Sequence, residues 1–412
     1  MTAYTGRLEC PRCMTSLEES EAFGGCPVCA ADGVPTNVHP VYDLDSISWE
    51  PETSAPGLFR FRALLPLAPE ARPVSLGEGN TPLVSLRHLG EALGLHRLYL
   101  KDETQNPTWS YKDRLAAVAV TRAVHDGAEA VVVATTGNHG AAAAAYAASA
   151  GMRCVVLTMA SVPLTMKVLM QAYGARVVAL RSGPERWQLM SRLVSERGWV
   201  PLSGFADPPL GSNPFGIDGY KTIAYEISEE LGQVPNFIVM PTAYGDGVTG
   251  ITRGFQDMKI LGLVASVPRM VIAEPLGPYT ASLESGSEAP ARVSLRPSIA
   301  FSIASPVATF QGLHAVRSTG GTAVVVSDDE EILSGQLELA RREGLYVEAS
   351  AAISLPVLAR LVDDQVIRPE DVVVIIGTSS GLKDVGATAA GLPVVPVIEP
   401  DLQSLDDALA GS

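Results

Sequence analysis

Short apolar strands alternate with amphipathic helices from about residue 74 onward, and this alternation limits the folds open to the chain. The apolar run AVVVAT at 130–135, for example, is followed after a turn by a helical pattern at 139–150 and then by the apolar run CVVLT. Strands joined by crossover helices form parallel sheets with right-handed connections. The sequence therefore predicts an α/β fold, and 412 residues suit two or three compact units.

Apolar periodicity gives the approximate positions of the other elements. Helices are predicted at 111–125, 139–150, 164–173, 185–197, 218–231, 247–260, 328–343 and 351–361. Strands are predicted at 97–101, 130–135, 154–158, 175–180, 236–240, 270–274, 322–327 and 372–377. The segment 276–302 shows no clear period, and we expect it to be irregular surface structure.

Charge and apolar content narrow the range of partners. Thirty basic residues against 45 acidic residues give a formal net charge of −15, which argues against nucleic acid or an anionic membrane as a partner. The first 32 residues contain no apolar core of a signal peptide, and no apolar run reaches the roughly 20 residues of a spanning helix. We expect a cytoplasmic protein that acts on a small molecule.

Four of the five cysteines form two pairs near the N-terminus. Cys10 and Cys13 lie in CPRC, and Cys26 and Cys29 lie in CPVC twelve residues further on. Two such pairs can supply four thiolates to a tetrahedral zinc ion, and no open coordination position is visible. The pattern predicts a structural zinc site; the alternative is four unpaired thiols in a frayed terminus. Cys154 lies in an apolar run and is expected to be buried.

Two stretches place polar groups where a helix begins. Lys112 lies in NPTWSYKDR at a predicted helix N-terminus, whose positive field lowers the pKa of an amine. The stretch ATTGNHG, residues 134–140, follows a strand and offers hydroxyls, an amide and backbone N–H groups to an anion such as a carboxylate. Taken singly, each stretch is equally compatible with an ordinary capped turn.

Two further stretches follow later strands. Gly245 and Gly247 in PTAYGDGVTG let the backbone approach a phosphate at a helix N-terminus, where Asp246 would present its N–H rather than its carboxylate. The stretch IIGTSSGLKD, residues 375–384, ends a strand in hydroxyl residues. Either could be a plain turn, and the first lacks the lysine and glycine spacing of the common nucleotide-binding loops.

In this order the stretches resemble the threonine synthase family, within the fold type II pyridoxal-phosphate (PLP) enzymes of the tryptophan synthase β-like fold. GEGNTPL (77–83), GYKTIAYEISEELG (219–232) and VEASAA (347–352) are similar to other blocks of that family, as is the zinc-ribbon-like N-terminus. The resemblance extends from about residue 7 to residue 385. It implies a PLP enzyme, structural zinc and a homodimer.

The resemblance also implies roles for individual residues. Lys112 matches the lysine that holds PLP as a Schiff base and shuttles protons, Asn138 the asparagine at the ring oxygen, and Thr378 the hydroxyl at the pyridine nitrogen. The residues matching the loop that binds the substrate carboxylate are Thr135, Thr136 and His139. The residues matching the backbone cradle of the cofactor phosphate are Ala243, Tyr244, Gly245, Asp246 and Gly247.

The chain departs from the family pattern beside the lysine. Trp109 stands where the family usually has glycine, Tyr111 replaces phenylalanine, and the segment 162–167 lacks the usual glycine–lysine pair. We expect these departures, Trp109 above all, to reshape the substrate pocket rather than to affect the binding of PLP.

The activity implied by the resemblance is that of threonine synthase, which converts O-phospho-L-homoserine and water to L-threonine and phosphate. Such an enzyme needs a site for the substrate phosphate, and Lys167, Arg186 and Arg114 are unranked candidates. A serine/threonine dehydratase or a β-replacement enzyme acting on phosphoserine or O-acetylserine is the alternative. A non-catalytic binding protein is a lesser one.

The resemblance implies the following division of the chain. Residues 1–40 form the zinc-ribbon-like segment and residues 401–412 a loosely held tail. Residues 41–115 and 215–400 form a large PLP-binding α/β domain, and residues 116–214 form a small α/β domain that grips the substrate.

Overall fold

The computed structural model describes residues 2–410. The strands are β1 (Tyr4–Glu9), β2 (Ser16–Glu18), β3 (His39–Tyr42), β4 (Leu83–Ser85), β5 (Arg97–Lys101), β6 (Ala130–Ala134), β7 (Arg153–Met159), β8 (Arg176–Leu180), β9 (Val200–Pro201), β10 (Phe237–Pro241), β11 (Arg269–Glu274), β12 (Thr322–Val325) and β13 (Val372–Ile376).

The helices, numbered in chain order, connect these strands. They are α1 (Pro27–Ala31), α2 (Arg87–Leu93), α3 (Lys112–His125), α4 (Asn138–Ser149), α5 (Leu164–Ala172), α6 (Gly183–Arg197), α7 (Pro214–Ile217), α8 (Lys221–Leu231), α9 (Asp246–Ile260), α10 (Pro278–Glu284), α11 (Phe310–Ser318), α12 (Asp329–Glu343), α13 (Ala349–Ala352), α14 (Ser354–Asp363), α15 (Val385–Ala389) and α16 (Leu402–Ala410). Within residues 2–410, none of them is both long and apolar enough to cross a membrane.

The larger sheet has six strands in the order β12-β11-β10-β13-β5-β4. Its neighbours pair in parallel except β4, which runs antiparallel to β5. Alternate residues of β10 enter different apolar clusters, with Ile238 and Met240 in one and Phe237 and Val239 in the other. A sheet buried on both faces is what crossover helices produce, because they cover both sides. The predicted α/β fold with parallel sheets is confirmed.

The smaller sheet has four strands in the order β8-β7-β6-β9, all of them parallel. Its strands lie between residues 130 and 201, inside the proposed small domain. The strands of the larger sheet lie in the two flanking stretches. This distribution supports the proposed domain boundaries, which stay a prediction.

The N-terminal residues form a three-stranded antiparallel sheet in the order β2-β1-β3. Its small core contains Leu8, Leu17 and three of the cysteines, and it is completed by Phe215 from the body of the protein. The Arg122 guanidinium lies over the Phe215 ring, 3.9 Å from its centre. The ribbon is therefore packed against the α/β body.

Some predicted elements need correction. The segment 276–302 is not wholly irregular, because it contains α10. The Glu274 carboxylate accepts hydrogen bonds from the Tyr279 and Thr280 N–H groups in the first turn of this helix. The helix predicted at 351–361 is two helices, α13 and α14. The tail contains α16, which has no buried residue; residues 411 and 412 of the predicted tail lie outside the described residues.

Candidate active site

A cavity of about 560 Å³ lies where β6, β7, β10 and β13 end at their carboxyl ends. Carboxyl ends of parallel strands are where α/β sheets bind ligands. The cavity brings together every residue assigned to the cofactor or to the substrate carboxylate. These residues are Lys112, Thr135, Thr136, Asn138, His139, Ala243, Tyr244, Gly245, Asp246, Gly247 and Thr378.

Lys112 is the first residue of α3, and the loop before it is tied to the end of β13. The Tyr111 N–H donates to the Thr378 carbonyl at 2.9 Å, and the Ser380 N–H donates to the Trp109 carbonyl at 3.1 Å. The Lys112 Nζ lies 4.6 Å from the centre of the Tyr111 ring. These bonds hold the lysine beside the threonine predicted to meet the pyridine nitrogen.

The electrostatic prediction for the lysine was wrong in sign. Burial lowers the pKa of Lys112, but Tyr111, Asp246 and Glu348 act in the opposite direction and leave that pKa above its ordinary value. The positive field of the helix N-terminus is thus outweighed by the adjacent Tyr111 and by two carboxylates from other elements, Asp246 and Glu348. The amine is protonated at neutral pH in the protein without cofactor.

Trp109 does not reshape the pocket, contrary to expectation. Its backbone has a φ of 59°, in the left-handed region where glycine is favoured. Its side chain is 44% exposed and lies outside the cavity lining. The left-handed backbone gives a physical reason for glycine at this position and directs a bulky replacement toward solvent.

Asn138 is held by two residues that are distant in sequence. Its amide Nδ2 donates to both carboxylate oxygens of Glu348, at 3.1 and 3.0 Å, and its Oδ1 accepts from the Ser379 hydroxyl at 3.2 Å. Glu348 also accepts from the Ser302 hydroxyl. Burial raises the pKa of Glu348, while its bond to Asn138 lowers it. Glu348 lines the cavity, and sequence reasoning missed it.

The loop after β6 leaves one buried polar atom without a partner. Nε2 of His139 has no hydrogen bond among residues 2–410, although the side chain is buried. Burial first, and then the charge of Lys112, keep the pKa of His139 well below its ordinary value. The imidazole is therefore neutral, and its free nitrogen can bond an incoming ligand.

The loop after β10 presents backbone N–H groups to the cavity. The N–H groups of residues 243–247 donate to nothing within residues 2–410. The Asp246 carboxylate is occupied by the Ser212 N–H and hydroxyl at 2.9 and 2.6 Å and by the Gln311 amide at 2.8 Å. Free N–H groups at the start of α9 suit an anion such as the phosphate of PLP.

Close packing fixes the shape of this loop. Gly245 has a φ of 78°, and a Cβ added there would lie 2.7 Å from Cα of Gly312. Gln311 supports the loop further by donating to the Tyr244 carbonyl at 2.8 Å. Asn37, in the ribbon, donates in turn to the Gln311 side chain at 3.2 Å. The ribbon therefore supports the wall of the cavity indirectly.

The four N-terminal cysteines converge as predicted. The Sγ atoms of Cys10, Cys13, Cys26 and Cys29 all lie within 4.8 Å of one another, and the Cys10–Cys29 and Cys13–Cys26 pairs are 3.5 Å apart. Four thiolates about 2.3 Å from a tetrahedral zinc ion would be separated by about 3.8 Å. The cluster therefore fits zinc, with all four positions taken by protein.

Known proteins of similar sequence agree with this geometry. Residues 74–379 match the family described as pyridoxal-phosphate dependent enzyme. The threonine synthase of Methanosarcina acetivorans is 35% identical over 98% of both chains. That of Methanocaldococcus jannaschii is 34% identical over 85% of this chain and 86% of its own.

Solved structures show the same fold at lower identity. Maize serine racemase superposes with a TM-score of 0.63 over 80% of this chain and 92% of its own, at 20% identity. Diaminopropionate ammonia lyase from Escherichia coli has a TM-score of 0.65 over 78% and 91%, at 18% identity. With the lysine, the free N–H groups and the strand ends in place, the chain belongs to the fold type II pyridoxal-phosphate-dependent enzymes and, within them, to the threonine synthase family.

Proposed function

We propose that this protein is a threonine synthase, which converts O-phospho-L-homoserine and water to L-threonine and phosphate. The observation that carries the proposal is the similarity to the Methanosarcina enzyme, which extends over 98% of both chains at 35% identity. The convergence of the predicted residues on one cavity supports it. The similarity spans the ribbon as well as both sheets, so it is not limited to the shared cofactor fold.

In this proposal Lys112 would hold PLP in the cavity between the two sheets. When bound, PLP withdraws electrons from the substrate and acidifies its Cα–H and Cβ–H bonds. Lys112 is the first residue of α3 and lines the cavity. Its Nζ takes the proton from Cα and moves it between the substrate carbons. Once the substrate amine replaced it on the cofactor, the Lys112 amine would be released and free to act as the base.

The surrounding residues orient the reacting groups. The N–H groups of residues 243–247 bind the cofactor phosphate, and Asn138 bonds the ring oxygen while Glu348 and Ser379 fix its amide. Thr378 meets the pyridine nitrogen with a hydroxyl, which leaves that nitrogen uncharged. Thr135, Thr136 and the neutral His139 bind the substrate carboxylate by hydrogen bonds rather than by charge.

A dehydratase or a β-replacement enzyme would use the same cofactor site. The likeness to serine racemase and ammonia lyases is below 25% identity and concerns the fold. The relatives at 31–35% identity that cover most of the chain are threonine synthases, and they favour that reaction.

A substrate panel tests the proposal. Purified holoenzyme is given phosphohomoserine, threonine, serine and phosphoserine in turn, while threonine, phosphate, ammonia and α-keto acids are measured. Equal amounts of threonine and phosphate from phosphohomoserine, absent in Lys112→Ala, are expected. Faster release of ammonia and a keto acid from threonine or serine would replace the proposal with a dehydratase.

We also propose that Cys10, Cys13, Cys26 and Cys29 bind a structural zinc ion. The packing of Phe215 and Asn37 between ribbon and body supports a role in stability rather than catalysis. One zinc per chain by elemental analysis, with a lower melting temperature after chelation, is expected. A metal-free protein of unchanged stability would refute the site. The homodimer and the cytoplasmic location stay predictions.

A further inference from the structure

Arg186 is a buried cation in the wall of the cavity. It lies in α6, is only 6% exposed and borders the same space as Lys112. Among the described residues, its Nε and Nη1 atoms make no hydrogen bond. Burying a guanidinium without a partner is costly because the ion loses its hydration. A ligand that accepts hydrogen bonds from the guanidinium would offset this cost.

The acidic residues around the cavity are already engaged elsewhere. Asp207 lies 3.5 Å from Arg292, Asp246 accepts from Ser212, and Glu348 accepts from Asn138. No salt bridge of Arg186 with a carboxylate occurs in residues 2–410. Burial lowers the pKa of Arg186, but a guanidinium stays charged at any physiological pH. Arg186 therefore has no carboxylate partner in the cavity wall among the described residues.

The two other cations considered for a substrate phosphate are excluded by their surroundings. Arg114 is fully buried outside the cavity, where it forms salt bridges with Glu103 and Glu226, each at 2.7 Å. Lys167 donates to the Ala160 carbonyl at 3.0 Å and is absent from the cavity lining. Arg186 is the remaining candidate of the three.

The site at Arg186 is separate from the cradle assigned to the cofactor phosphate. That cradle consists of backbone N–H groups at the start of α9, on the larger sheet. Arg186 belongs to α6, which packs on the smaller sheet, and it approaches the cradle only through the Tyr244 side chain, with which it interacts electrostatically. The cavity thus has groups able to bind an anion beside each sheet, namely the free N–H groups of residues 243–247 and the Arg186 guanidinium.

We propose that Arg186 binds the phosphate group of the substrate and thereby selects a phosphate monoester over a free hydroxyl as the leaving group. A guanidinium can donate two parallel hydrogen bonds to a phosphate, which both orients the ester and neutralises charge as the C–O bond breaks. The phosphate leaves with the electron pair of that bond. This inference rests on the proposed function for the identity of the substrate.

The test compares Arg186→Gln with Arg192→Gln in the holoenzyme. Arg192 lies on the same helix, is 70% exposed and pairs with Glu196, so its variant controls for loss of charge on α6. Binding of inorganic phosphate is measured by titration calorimetry, and the KM for phosphohomoserine by threonine formation. Arg186→Gln is expected to weaken both by about 10- to 100-fold, as for a hydrogen-bonded charge, with unchanged PLP absorbance. Arg192→Gln should match the wild type.

Each other outcome has a definite meaning. Unchanged phosphate affinity in Arg186→Gln would overturn the proposal, and so would loss of PLP with phosphate binding intact, which would assign Arg186 to the cofactor. If Arg186→Gln does not fold, Arg186→Lys keeps the charge but not the paired donors: a rise of about 10-fold in the phosphate Kd supports the proposal, and no rise overturns it. Phosphate binding that depends on Arg186 in a protein that makes no threonine would refute the proposed function alone.

Discussion

The two helices that bring anion-binding groups to the cavity are held very differently. Helix α9, on the larger sheet, has 15 residues and buries ten of them. Helix α6, on the smaller sheet, also has 15 residues but buries only Arg186 and Met190. A helix with few buried contacts opens locally at lower free energy. The side of the cavity proposed to bind the cofactor, the cofactor side, is therefore more tightly packed than the side proposed to bind the substrate.

The strands beneath these helices show the same contrast. Every residue of β10, which leads into the cofactor loop, is buried. The edge strand β8 of the smaller sheet has three exposed and two half-buried residues. Strand β8 and helix α6 of the smaller sheet therefore make fewer buried contacts than β10 and α9 of the larger one.

The largest expected effect is on the unfolding free energy, when an ion pair on the cofactor side of the cavity is compared with one on helix α6. Arg114 bonds both carboxylate oxygens of Glu103 and of Glu226, and also Thr222, in the core of the cofactor side. Arg114→Met removes a cation shared by two buried carboxylates, of which Glu226 keeps Lys101 at 3.0 Å while Glu103 keeps no cation among the described residues, and it should cost about 3–5 kcal/mol in unfolding free energy. The matched change Arg192→Met, on the exposed face of α6, should cost under about 0.5 kcal/mol. Urea unfolding measures both, and equal losses would abolish the contrast.

A smaller effect is expected from glycines on the two sides. Gly245→Ala would put a methyl group 2.7 Å from Gly312 on a left-handed backbone, which should cost about 1–3 kcal/mol and weaken PLP binding. At Gly183 the nearest atom to an added Cβ is the Arg186 Nη2, 3.6 Å away. Gly183→Ala should therefore leave stability within about 0.5 kcal/mol of the wild type. Thermal unfolding and PLP titration compare the variants; a harmless Gly245→Ala would argue against a rigid loop.

The smallest effect is a shift in pH dependence. PLP reacts with the neutral amine of Lys112, whose pKa is raised in the free protein, so the rate of PLP uptake should keep increasing with pH into the alkaline range. Tyr111→Phe removes the first of the groups that raise this pKa and should move the curve to lower pH. His139, on the smaller sheet, is neutral throughout and should add no inflection near neutral pH. Stopped-flow absorbance follows the uptake. An unshifted curve would show that Tyr111 does not raise the pKa of Lys112.

Much of the fold, and the convergence of the site residues on one cavity, could be predicted from the sequence, because both depend on local pattern. Strand–turn–helix stretches place their loops at the same edge of a parallel sheet, which is why Lys112, Asn138 and Thr378 meet in one cavity. The two cysteine pairs likewise have the spacing of metal ligands, which is visible in the sequence itself. Short elements such as β4, with three residues, have too little periodicity to be recognised.

The missed features depend on contacts between distant parts of the chain. Glu348 reaches Asn138 across 210 positions, and nothing near VEASAA indicates that contact. Arg186, Arg114 and Lys167 could not be ranked because burial and ion pairing decide between them. The pKa of Lys112 was predicted from the field of its own helix alone, while two of the groups that reverse the shift, Asp246 and Glu348, lie far away in the sequence.

Trapping the cofactor tests the central claim most directly. The holoenzyme is reduced with borohydride, digested and analysed by mass spectrometry, with Lys112→Ala treated in parallel. One phosphopyridoxyl group per chain is expected on the peptide that contains Lys112, together with loss of the visible absorbance on reduction. No label is expected in the variant. A label on another lysine, or a wild-type protein that takes up no PLP, would contradict the central claim.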